Sequence, residues 1–136
     1  MRDSGYIVVM TRVDTDDGSG LLDEPTIRLE ERDGITVVWL AGEHDAATAP
    51  DLERALEQAG DRSSVVVSLA RTDFIDSTTL HVISTTDRRM TEQGRRLVIH
   101  VSPGSVAERV VELCQLDKTL LNSTSLDEAV ALADRA

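Results

Sequence analysis

The run SVVVSLA, Ser64 to Ala70, constrains the fold more than any other stretch. It is short, continuous and β-branched, with none of the polar alternation that a half-exposed strand would show. Such a run fits a strand covered on both faces in a parallel sheet. RLVIHV, residues 96–101, repeats the pattern. Between and around these strands lie segments with a helical period, so helices must supply the covering layers.

The rest of the chain fits this frame. TIRLEE alternates Ile27 and Leu29 with Arg28 and Glu30, and is followed by Arg32-Asp33-Gly34 and the apolar run ITVVWLA. Two strand patterns around a turn signal predict a β-hairpin. GEHDAATAP then breaks the strand. Pro50 sits early in a helix whose apolar positions are Leu52, Ala55, Leu56 and Ala59, ending near Gly60. After the 64–70 strand, DFIDSTTLH reads as a loop leading into a helix that turns Leu80, Ile83 and Met90 inward and stops at Gly94. SPGSVAERVVELCQL predicts another helix, with Ser105 and Glu108 spaced as a capping box. KTLLNST gives a short strand, and Ser125 with Glu128 forms a second box opening the last helix. Strands alternating with helices imply an α/β fold with a mostly parallel sheet joined by right-handed crossovers, an N-terminal hairpin and about four helices.

Residues 1–24 read differently. TRVDTDDGSGLLDEP is acidic and lacks a period, so the segment is expected to be a flexible leader, in which Tyr6–Met10 offers one extra edge strand. Residues 25–136 form the single folded domain. A chain of 136 residues buries about 70% of its unfolded surface and needs neither metal nor disulfide to fold.

Composition excludes several functions. The formal charge of -11 lacks the clustered Lys and Arg that tracking phosphates requires, which argues against direct nucleic-acid binding and favours a basic or mixed-charge protein partner. No stretch approaches the ~20 apolar residues of a membrane span. Cys114 is the only cysteine, which excludes an intrachain disulfide and fits a reducing, cytoplasmic location. On a helix with Val106, Val110 and Leu113, it is expected to pack as a small hydrophobe.

No convergent acid, base and nucleophile set is visible, nor a phosphate-cradling glycine loop, so no catalytic residue, cofactor or metal ligand is assigned. His44, His81 and His100 have no metal-ligand spacing, and His100, inside an apolar strand, reads as structural. The informative site is Asp76-Ser77-Thr78-Thr79. Asp76 or Ser77 can cap the following helix, yet one cap does not account for the whole hydroxyl run at the carboxyl end of a buried strand, where open parallel sheets meet ligands and partners. A phosphate there would face unpaired helical N–H groups and change the surface by about -1.5 to -2 charges.

Three segments together resemble the STAS domain, and within it the bacterial anti-sigma factor antagonists. GEHDAATAPDLERAL is similar to the family's GELD-type strand end and helix. VVVSLARTDFIDSTTL is similar to its strand and phosphorylation segment, usually of the form DFIDSSGL. The third segment, from Gly94 to Ala131, is similar to its C-terminal strand, Pro-bearing loop and helix. The resemblance covers about Thr26 to Leu132. It implies that Ser77, ahead of Thr78 and Thr79, is phosphorylated by a partner that is both serine kinase and anti-sigma factor, that a serine phosphatase reverses this, and that the unmodified form binds the partner and frees a sigma factor. Asp45, Asp76, Ser77, Thr78, Thr79 and His81 would then line the partner site, and the protein itself would supply no catalysis. Thr79 and His81 stand where the family usually has glycines, and Ser68 where an acidic residue is common. The alternative is a non-switching STAS interaction module for a protein or small ligand, in which DSTT is only a capped helix start.

Overall fold

The computed structural model describes residues 7–11 and 25–135. Six strands form one sheet in the order β1 (Ile7–Thr11), β2 (Thr26–Arg32), β3 (Ile35–His44), β4 (Val65–Ile75), β5 (Leu97–His100), β6 (Leu121–Ser123). β1, β2 and β3 pair antiparallel, and β3 through β6 pair parallel. Four α-helices, α1 (Ala49–Gly60), α2 (Ser77–Glu92), α3 (Val106–Leu113) and α4 (Leu126–Ala133), connect or follow the strands, with a 3-10 turn at Leu116–Lys118. β1 begins one residue later than the Tyr6–Met10 strand read from sequence, and the rest of the acidic leader lies outside the described residues.

The hairpin between β2 and β3 turns on Asp33 and Gly34, both at positive φ (57° and 82°). That is the backbone of a two-residue turn matched to strand twist. Period-two alternation splits the sheet's side chains into two cores. Val38, Leu40, Val67, Leu69 and Ile99 pack with α1, α2 and α3, while Ile35, Val37, Val66 and Val98 pack with Ala129, Val130 and Ala133 of α4. The helices end and begin largely as their sequences require. Gly94 at φ 80° closes α2, with the Arg95 N–H donating to Met90 O across 2.9 Å. Ser105 and Ser125 accept from the N–H groups of Glu108 and Glu128. Neither glutamate closes its box on the serine's own N–H, because those N–H groups already donate to Ser102 O and Ser123 Oγ.

Three expectations need correction. GEHD does not break the strand: β3 continues through Gly42, at φ 84°, to His44, with irregular register against β4 absorbing the bend. The segment 71–75 is strand, not loop, since β4 runs past the end of β5 and pairs Glu43↔Phe74 and His44↔Ile75 with β3. The apolar face assigned to α3 is largely the wrong one. Ala107 and Val111 are buried, whereas Val106 and Leu113 are 52% and 75% exposed, Val110 is half-buried, and Cys114 is an exposed free thiol.

Candidate functional site

β3 and β4 run parallel and end in register at the pair His44↔Ile75. The next residue on each strand is an aspartate, Asp45 and Asp76. The sheet therefore delivers both predicted acids to neighbouring positions on its carboxyl edge. Two different local structures then begin. Asp45 Oδ1 accepts from the Ala47 N–H at 2.9 Å, and its backbone carbonyl accepts from the N–H groups of Thr48 and Ala49, each at 3.1 Å. This small turn feeds α1.

Asp76 is the N-cap of α2, in extended conformation, and its Oδ1 accepts from the Thr79 N–H at 3.0 Å. Capping thus belongs to Asp76, and it leaves Ser77 as the first helical residue. With β4 extending to Ile75, the DSTT "loop" shrinks to a single capping residue. Ser77, Thr78 and His81 are exposed; Asp45 and Asp76 are half-buried. The hydroxyl of Ser77 is presented to solvent beside the first-turn N–H groups, which have no partners inside the helix.

Thr79 behaves otherwise. It is fully buried, and its hydroxyl donates to the backbone carbonyl of His44 at 3.0 Å. That corrects its assignment as a phosphoacceptor or partner-contact residue: the hydroxyl is spent inside the fold, holding the start of α2 against the end of β3. His44 is itself fully buried, with Nδ1 3.0 Å from Thr48 Oγ1 and Nε2 3.0 Å from Ala41 O and 3.2 Å from Thr26 O. Burial holds its imidazole below the usual histidine range, against the opposing pull of the Ala41 and Thr26 carbonyls and Asp45. A neutral ring with Nε2–H donating satisfies these contacts.

His100 lies away from this edge in strand β5, with Nδ1 2.8 Å from Ser68 Oγ. Burial lowers its pKa also, opposed by a hydrogen bond to the Thr124 backbone. It is a packed structural histidine, and Ser68 is its partner. Sequence reasoning missed one surface residue: Phe74, just before the cap, is 45% exposed. Asp73 and Phe74 are exposed in succession before buried Ile75, so strand alternation does not single Phe74 out in the sequence. Among the described residues, no group of three or more His, Cys, Asp or Glu side chains is arranged to hold a metal ion.

The family model for the STAS domain matches residues 26–131, from the start of β2 into α4, and so includes the ends of β3 and β4 that form this edge. The chain belongs to the STAS domain family. Among proteins similar to this STAS domain is the anti-sigma-F factor antagonist RsfB of Mycobacterium tuberculosis, 29% identical over 110 residues, covering 79% of this chain and 88% of the relative. A crystal structure of an anti-sigma factor antagonist from Mycobacterium paratuberculosis superposes with TM-score 0.73 at 28% identity, covering 81% of this chain and 94% of the other. SpoIIAA, an anti-sigma factor antagonist solved in its unphosphorylated form, shares the fold, with TM-score 0.61 at 17% identity over 81% of this chain and 98% of that one. The mixed α/β architecture expected from the strand and helix pattern is that of the STAS domain. Among the described residues, no helix is long and apolar enough to cross a membrane.

Proposed function

We propose that this STAS domain is an anti-sigma factor antagonist, switched by phosphorylation of Ser77. The observation that carries the reading is the exposed Ser77 hydroxyl at the first position of α2, flanked by a completed Asp76 cap and next to the aligned Asp45. Similarity to antagonists of known name across most of the chain supports the partner class, an anti-sigma factor.

In the unmodified state the carboxyl edge binds an anti-sigma factor that is also a serine kinase, and the sigma factor is freed. Asp45, Asp76, Ser77, Thr78 and His81 supply polar contacts, and Phe74 supplies an aromatic anchor of the kind that dominates interface energetics. For transfer, Ser77 Oγ attacks the γ-phosphorus of ATP held by the partner. The bond to the bridging oxygen breaks, ADP leaves, and the hydroxyl proton passes to a base on the kinase. The product places about -1.5 to -2 charges beside Asp45 and Asp76, which repels a face that had accepted a neutral serine. A serine phosphatase resets the switch by hydrolysis. The protein acts by binding and supplies no catalysis of its own, in the cytoplasm where its partners work.

Mass spectrometry after incubation with the cognate kinase and ATP tests the reading. Phosphate on Ser77 is expected; its absence from both Ser77 and Thr78 would sink the switch. The competing reading, a non-switching module, is separated by Ser77→Asp. A switch loses partner binding with this charge mimic, and a plain docking module does not.

A further inference from the structure

Ser77 and His81 are both exposed and stand four residues apart in α2. Residues at this spacing share one helix face, with Cβ atoms about 5–6 Å apart. Helical side chains lean toward the N-terminus, so the imidazole of His81 leans over the turn that Ser77 opens. No hydrogen bond or ion pair holds the His81 ring elsewhere among the described residues. In the first two turns of α2, residues 77–84, it is the only side chain able to carry a positive charge.

The surrounding charges sharpen its position. Glu43 and Asp45 on β3 and its continuation, Asp73 on β4 and Asp76 at the cap are all acidic. Arg71 lies over the Trp39 ring at 4.6 Å, Arg54 of α1 is held by Asp51, and Arg89, further along α2, is directed to Glu57 of α1. A dianion added at Ser77 would therefore sit directly after the Asp76 cap, with one titratable base a single turn away.

We propose that His81 is the charge partner of a phosphate on Ser77. Its imidazolium donates to a phosphate oxygen and holds the group over the first turn of α2. This rests on the reading of Ser77 as the modified residue. The helix dipole favours the phosphate from one side and His81 from the other. His81 thereby stabilises the modified state instead of merely altering the docking surface.

The test uses the full chain with phosphoserine encoded at position 77 by amber suppression, so that no kinase is needed. The imidazole of His81 is titrated by NMR in the modified and unmodified proteins, and the phosphate by phosphorus NMR in the modified protein with and without His81→Gln. His81 should titrate at higher pH in the modified protein, by roughly a few tenths of a unit, the size an i,i+4 ion pair supplies. The second phosphate ionisation should fall at lower pH with His81 than with His81→Gln. Titration of His81 at the same pH in both proteins would overturn the pairing. A cognate kinase that leaves Ser77 unmodified would overturn the switch alone, because the encoded phosphoserine still reports on His81.

Discussion

The hydroxyl of Thr79 donates to the main-chain carbonyl of His44 across 3.0 Å, joining the first turn of α2 to the last residue of β3. Both strands that deliver the candidate switch are thus tied to the helix that carries it. A glycine at position 79, as the resemblance in sequence implies for the family form, would leave this carbonyl without the bond. The threonine adds an internal tie at the cost of an open backbone surface.

Replacing Thr79 with valine keeps the volume but removes the donor. A buried carbonyl left unsatisfied costs about 1–3 kcal/mol, so Thr79→Val should lower the urea midpoint with little change in slope. Thr79→Gly should also destabilise, through lost packing and greater unfolded-state freedom.

Asp76 carries the cap, so Asp76→Ala should cost about 0.5–2 kcal/mol. Asp76→Asn retains an acceptor oxygen for the Thr79 N–H and should retain most of the stability while removing a charge from the partner face. Chemical denaturation compared with partner affinity for the two variants separates the capping role from the docking role.

Phe74 is exposed at 45%, so Phe74→Ala should change stability by no more than about 0.5 kcal/mol. If the carboxyl edge is the docking face, the same change should weaken anti-sigma factor binding by about tenfold or more. Titration calorimetry with the purified partner reads this directly.

Stability should also depend on pH through two buried rings. Burial holds His44 and His100 below the ordinary histidine value. The unfolded chain then takes up protons near pH 6.5 that the folded chain refuses, so stability is full above about 6.5 and falls as pH drops toward the depressed folded values. Each histidine contributes at most about 1.4 kcal/mol per pH unit within that window. Urea midpoints measured from pH 8 to 5.5 should show the decline, and His100→Gln should flatten it; an unchanged slope in that variant would remove His100 from the account.

Much of this architecture was legible in the residues. Val65, Val66 and Val67 announced a strand covered on both faces, Asp33-Gly34 the hairpin turn between β2 and β3, and Leu80, Ile83 and Met90 the buried stripe of α2. The extension of β4 was not legible, because Arg71, Thr72 and Asp73 continue past the end of β5 with only β3 beside them. Their polarity reads as loop, and only the long partner strand keeps them extended. The face of α3 was misread for a different reason. In an eight-residue helix Val106, Val110 and Leu113 keep the period as well as Ala107 and Val111, so spacing alone does not choose the buried pair. At the site, Asp45, Asp76 and Ser77 could be named from sequence, but the burial of Thr79 depends on a carbonyl 35 residues away, which no local pattern encodes.

Charge on Ser77 should control partner release. The most direct measurement is the affinity of the anti-sigma factor for the unmodified chain and for the chain carrying phosphoserine at position 77. Modification should weaken binding by about tenfold or more, at least ~1.4 kcal/mol. Equal affinity for the two forms would contradict it.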